Sequence, residues 1–162
     1  EDEIIDRLTD MVLEQLRQNG PPWRPGAREL LLELRTAGIP TALVTMSIRR
    51  LAGVVDQAIE FHAFDVVVTG DDVENSKPHP EAYLRAAAEL GVDPRECVAI
   101  EDSGPGVMSA VTSGAATIGV PLNVPLPNND LYVTWPTLLC RKITDLADVL
   151  ESARRAASET PA

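Results

Sequence analysis

Four short runs of aliphatic and β-branched residues punctuate the chain: Thr41-Ala42-Leu43-Val44-Thr45, Val66-Val67-Val68-Thr69, Val98-Ala99-Ile100 and Ala116-Thr117-Ile118-Gly119-Val120. They lack the regular apolar–polar alternation of a strand with one wet face, and each reads as a strand covered on both faces. Between them the apolar spacing becomes helical. A helix is predicted near 48–59. Tyr83, Ala86, Ala87 and Leu90 predict another from about 80 to 90, with Gly91 at its end. Val107, Ala110 and Val111 mark a third. Strands of this kind alternating with helices predict an α/β fold built on a parallel sheet.

The flanks are less regular. Ile5, Leu8, Val12 and Leu16 lie near helical spacing and predict an amphipathic helix over 3–19, stopped by Asn19-Gly20-Pro21-Pro22. Pro25-Gly26 opens a second helix, in which Leu30, Leu34 and Ala37 share a face and Gly38 ends the run. The intervening GPPWRPG reads as a hinge or domain crossing. Segment 121–142, rich in Pro and Asn, predicts irregular structure with one short strand around Leu131–Val133. Leu146, Val149, Leu150 and Ala153 predict a closing helix. No internal repeat or low-complexity tract is present.

At 162 residues the chain is long enough for one domain with a real core. Its net charge of −11 argues against a nucleic-acid or anionic-membrane partner, since both require a basic patch. No apolar run approaches the roughly 20 residues of a membrane span. The opening EDEIIDRLTD is too acidic for a signal peptide. Cys97 and Cys140 form no CxxC pair, which argues against a zinc site or a disulfide framework, so a reduced, cytoplasmic setting is expected. The first residue is Glu1 rather than Met, as in a fragment or a processed product.

In a parallel sheet, ligands bind at the carboxyl ends of the strands. The first strand ends on Thr45, followed by Met46 and Ser47. The second ends on Gly70-Asp71-Asp72, with Lys77 a few residues on. The third ends on Glu101-Asp102 and runs into Ser103-Gly104-Pro105-Gly106. A hydroxyl, an ammonium and two carboxylates suit a phosphate and a divalent cation together. Each residue has a plainer reading. Thr is common in strands, a lysine before Pro78-His79-Pro80 is a solvated loop residue, and Glu101-Asp102 complements the dipole of the next helix. The concurrence at three strand ends is what reads as a site. The glycines after Glu101-Asp102 are expected to let the backbone turn tightly into that helix. His62 and His79 read as structural. No G-x-S-x-G elbow occurs, and Gly104-Pro105-Gly106 with Ser109 following matches only part of a dinucleotide fingerprint.

Across residues 22–150 the chain resembles the haloacid dehalogenase superfamily, in its branch of small phosphatases and sugar phosphomutases. The resemblance is carried by RPGARELLLELRTAGIPTALVTMS and by GDDVENSKPHPEAYLRAAAELGVDPRECVAIEDSGPGVMSA. It implies a Rossmann-like parallel sheet with flanking helices over 22–162, and the end of a helical cap over 1–21. Thr45 is similar to the family's phosphate-binding hydroxyl, and Ser47 to a residue touching substrate phosphate. Lys77 is similar to the lysine that neutralises the nucleophile and the transferring phosphoryl group. Asp102, with Glu101, is similar to the acidic pair that holds Mg²⁺. The implied activity is Mg²⁺-dependent hydrolysis of a small phosphorylated metabolite through an aspartyl-phosphate.

The family's D-x-D-G-T nucleophile motif is absent from these residues. The resemblance therefore implies a chain that begins inside the cap and relies on a missing N-terminal segment of the same protein for its nucleophile. That segment's strand belongs in mid-sheet, between the Thr45 and Ile100 strands. Without it, a row of backbone groups goes unpaired in the core, and the chain alone is expected to be inactive. The other readings are a non-catalytic phosphate- or protein-binding module, a sugar phosphomutase, and a nucleotide-binding domain using the GPG turn.

Overall fold

The computed structural model describes residues 2–127 and 130–134, with 147, 148 and 151. All four predicted core strands are present: β1 Ala42–Val44, β2 Val66–Val68, β3 Val98–Glu101 and β4 Ala116–Gly119. Helices α3 Arg49–Gln57, α4 Glu81–Leu90 and α5 Gly104–Ser113 follow β1, β2 and β3 in turn. Two helices precede the sheet, α1 Asp2–Asn19 and α2 Ala27–Thr36. A two-residue strand, β5 Val133–Thr134, overlaps the end of the predicted 131–133. Tyr132 beside it is buried, and Leu131 is exposed. Short 3₁₀ turns at Gly70–Asp72 and Pro94–Glu96 had no periodic signal to announce them. The predicted closing helix lies outside the described residues, apart from isolated positions.

Among the described residues all strand pairings are parallel, as uniformly apolar runs lead one to expect. They form two pieces, β1 with β2, and β3 with β4 and β5. Among the described residues no strand joins β1 to β3. The ladder shows which groups this leaves facing the gap. Thr41 O and Thr45 N both bond towards β2, so the alternation of a parallel ladder turns the amides and carbonyls of Ala42 and Val44 the other way. On β3, Cys97 O and Glu101 O bond to β4, which turns Val98 and Ile100 away from it.

Lys77 donates both to Val44 O and to Glu101, the last residues of β1 and β3, so the two strands end together. Between them lies a cavity of about 700 Å³ whose lining includes Leu34, Leu43, Val44, Tyr83 and Ile100. Ile100, midway along a core strand, is 38% exposed. The gap has a hydrogen-bonding strand edge on each side.

Among the described residues three small clusters of buried side chains stand out. Leu30 of α2 packs on Ile118 and Val120, with Ala27, Leu34 and Val98 around them. Ala82 and Ala86 of α4 cover Val68. Ala110 of α5 packs with Ala99 and Ala115, flanked by Tyr83 and Cys97. Helix α4 thus touches both β1–β2 and α5. Alanines on its inner face let it lie close.

The N-terminal helix forms where its periodicity predicted, but a different face is buried. Leu13 is fully covered, whereas Leu8 is 57% and Val12 47% exposed. Helix α1 rests on α3, with Asp10 paired to Arg50, and much of its apolar surface remains open. The GPPWRPG crossing is pinned to the sheet. Arg24 donates to Val120 O at 2.9 Å and Pro121 O at 3.2 Å, just past β4. Gly26 then enters α2 at φ 85°, a left-handed conformation that favours glycine.

Candidate active site

The site is assembled from the loops at the carboxyl ends of β1, β2 and β3. After β1, Thr45 N donates to Val68 O at 2.9 Å, which prolongs the ladder by one residue. Thr45 Oγ1 accepts from Ser47 N at 3.1 Å, a hydroxyl turn that bends the chain back over the strand end. Ser47 O accepts from Gly70 N, joining this loop to the one after β2. A Cβ at Gly70 would stand 2.7 Å from Met46 O, so that approach requires glycine. Thr45 and Ser47 are half-buried and remain close to the rim.

The carboxylates after β2 are occupied structurally. Asp71 accepts from Arg49 N at 2.6 Å and so caps the start of α3. Asp72 pairs with the Arg49 guanidinium and accepts from the Thr69 amide and hydroxyl. Arg49 foremost, then Thr69, holds the Asp72 carboxyl well below the usual range.

Lys77 is a buried residue. Its side chain is 8% exposed, against 7% for Glu101, with which it forms an ion pair. Its loop is built to deliver it there. Glu81 accepts from Glu74 N, Asn75 N and Asn75 Nδ2, closing the turn, and these bonds lower the Glu81 carboxyl, Glu74 N foremost. His79 is structural, as the sequence indicated: its carbonyl accepts from Ser109 Oγ at 2.7 Å, and Nδ1 accepts from Glu81 N. The intervening Lys77–Pro78 peptide is cis.

Two residues that sequence reading did not assign to the site complete it. Tyr83, predicted only as an apolar helix position, donates its hydroxyl to Glu101 Oε1. The Lys77 ammonium lies 4.9 Å from the centre of its ring. Burial foremost, then the Glu101 and Asp102 carboxylates, pushes the Tyr83 phenol well above its ordinary value, so it stays a donor. Ser103 Oγ donates weakly to Glu101 Oε2 at 3.4 Å and accepts from Gly106 N at 3.1 Å, capping α5. The available signals were a polar tip on an apolar helix face and a Ser in N-cap position. Gly106 has a different purpose from the one expected. Neither it nor Gly104 takes a positive φ, but a Cβ at Gly106 would fall 2.0 Å from Glu101 Oε2. The glycine makes room for the carboxylate.

Thr45, Ser47, Lys77, Glu101 and Asp102 therefore gather at one rim, the first four half-buried or buried and Asp102 exposed. As a Mg²⁺ site the acidic pair fits in part. Both residues offer hard oxygen donors, and Mg²⁺ is commonly held by one or two carboxylates with water and phosphate completing the shell. Glu101 already accepts from Lys77 and Tyr83, which leaves Asp102 as the more available carboxylate. Among the described residues no group of three or more candidate His, Cys, Asp or Glu ligands converges. No described helix is long and apolar enough to cross a membrane.

Comparison with known proteins places the chain in a family. The chain is 39% identical over 108 residues to hexitol phosphatase A of Escherichia coli (strain K12), covering 67% of this chain and 50% of that protein. It is 26% identical over 148 residues to phosphoglycolate phosphatase of the same strain, covering 91% and 58%. Among solved structures, CbbY from Rhodobacter sphaeroides in complex with phosphate superposes with a TM-score of 0.75 at 27% identity, covering 85% of this chain and 64% of that one. β-Phosphoglucomutase from Clostridium difficile shares the fold, with a TM-score of 0.78 at 21% identity, covering 95% and 66%. The chain thus spans about half to two thirds of the length of these relatives. A family model for haloacid dehalogenase-like hydrolases matches residues 2–114, from α1 past the end of α5 and through every residue of the rim, and the chain belongs to that family.

Proposed function

We propose that this chain is the C-terminal part of a Mg²⁺-dependent phosphomonoester hydrolase acting through an aspartyl-phosphate, with the nucleophilic Asp contributed by a segment upstream of these residues. The observation that carries this reading is the position of Lys77. A buried ammonium stands where β1 and β3 end together, at the end of the gap between their unpaired edges. A strand filling that gap would deliver its last side chains beside Lys77. Residues 1–21 would then be the end of a cap, and 22–162 the core.

In this reading Lys77 neutralises the carboxylate nucleophile and the transferring phosphoryl group. Two of its three N–H donors are taken by Val44 O and Glu101, and the third would serve the phosphoryl group. Thr45 and Ser47 present hydroxyls to phosphate oxygens at the adjoining strand end. Asp102, with Glu101 beside it, would hold Mg²⁺, which supplies charge neutralisation on the phosphoryl oxygens when bound. Glu101 has a second task, fixing Lys77. The substrate class is a small phosphorylated metabolite, in keeping with the names of the curated relatives. Hydrolase is preferred over phosphomutase because the relative at 39% identity is named a phosphatase, whereas the structures named β-phosphoglucomutase match at 21% to 32%. A reduced cytoplasmic setting accords with the cysteine usage.

A non-catalytic phosphate-binding module is the second reading, favoured by the lack of a third converging carboxylate among the described residues. The test is hydrolysis of p-nitrophenyl phosphate with Mg²⁺ by the full-length polypeptide. Lys77→Ala and Asp102→Ala are each expected to lower kcat/KM at least about 100-fold, and EDTA to abolish turnover. Full activity in both variants refutes the site. Phosphate binding without turnover in the full-length polypeptide selects the second reading.

A further inference from the structure

We propose that Tyr83 is a positioning residue for the Lys77 ammonium, and so sets how strongly this site holds a phosphate group. The inference rests on the phosphate-handling reading above. Tyr83 sits in the first turn of α4, lines the gap and reaches the rim, where it touches both members of the ion pair.

Its hydroxyl donates to Glu101 Oε1, the same oxygen to which Lys77 donates. An oxygen shared between two donors holds each less tightly, so the ammonium retains more of its charge for a third partner. The Tyr83 ring lies beside Nζ at 4.9 Å, within cation–π range, and closes that side to water. Val44 O fixes a further direction at 3.1 Å. With two donors committed and the ring beside it, the ammonium stays between the ends of β1 and β3. Its remaining N–H is left for an anion.

Phenylalanine keeps the ring and removes the hydroxyl. Lys77 then becomes the main donor to Oε1 and is drawn onto it. Expressed in the full-length polypeptide, Tyr83→Phe is expected to weaken binding of inorganic phosphate by about three- to tenfold, measured calorimetrically in EDTA. KM for a phosphomonoester should rise by a similar factor, with a smaller change in kcat. The effect runs through the Glu101 charge, so it should vanish when Tyr83→Phe is combined with Glu101→Gln. A role confined to packing would lower the melting temperature and leave the phosphate constant unchanged.

An unchanged phosphate constant in Tyr83→Phe overturns the inference, as does the same loss in both backgrounds. Coupled loss of phosphate binding without any turnover in the parent protein supports Tyr83 and rejects the hydrolase. Turnover with no effect of Tyr83→Phe on either constant rejects Tyr83 alone. A parent protein that neither binds phosphate nor turns over substrate rejects both.

Discussion

Asp72 and Asp102 each stand at the carboxyl end of a strand, and their surroundings give them opposite uses. Asp72 is pinned by Arg49 and by two donors on Thr69, and its carboxyl is held low. Asp102 is exposed at the rim. Because the Asp72 carboxyl is depressed in the folded state, its stabilisation is fully present above the unfolded value of about 3.9 and is lost as pH falls through the folded value. Asp72→Asn is therefore expected to destabilise the protein at pH 7 by on the order of 1–3 kcal/mol. The gap to the parent should narrow as the pH drops below about 4. Denaturant melts at several pH values check this, and a gap that widens on acidification would contradict the assignment. At the same scale, Lys77 could be named from its place in the sequence. Its burial could not, since its partner Glu101 lies 24 residues away along the chain, and Tyr83, which donates to the same carboxylate oxygen, lies 18 from Glu101.

The strands were legible as elements because uniform apolarity is a local property. Leu43, Val44, Ala99 and Ile100 read as core before any fold was known. The edge each strand presents to a neighbour is set by ladder pairing, and here it leaves Ala42, Val44, Val98 and Ile100 bonding away from their partners. The amides of these four residues are expected to exchange with deuterium much faster in the isolated chain than those of Leu43 and Ala99, which face β2 and β4. Equal protection of both sets would mean that the gap is filled by the chain itself. Helix α1 shows the limit of periodicity from the other side. Its spacing marked Leu8 and Val12 as inward, but the helix packs mainly against α3, and there Leu13 is covered while those two are not.

At the scale of the whole molecule, among the described residues two sheet fragments are held together by α4 and by the Lys77 bridge rather than by a continuous ladder. A cavity of about 700 Å³ in that position leaves apolar surface wet. Any gap-facing backbone group left without a partner adds to the cost. The isolated chain should therefore bind an apolar fluorescent dye. A synthetic peptide of four or five β-branched residues followed by Asp-x-Asp-Gly-Thr should suppress the dye signal and raise the melting temperature by several degrees, as binding to the native state alone does. A scrambled peptide of the same composition is the control. No effect of the ordered peptide on either signal would count against a strand-accepting gap.

The sequence by itself determined the α/β class, the order of the elements, and the residue types gathered at the strand ends, Thr45, Lys77, Glu101 and Asp102. These follow from hydrophobic periodicity and from the rule that such sheets bind at their carboxyl ends, both of which are read along the chain. The tertiary structure alone decided the rest. It turned Lys77 from a loop residue into a buried ammonium. It made Gly106 a space for a carboxylate rather than a bend, committed Asp71 and Asp72 to Arg49, and brought Tyr83 under the ion pair. Each of these depends on which side chains meet across tens of residues, and such contacts are fixed by how strands pair and helices pack, which no local pattern of residues encodes.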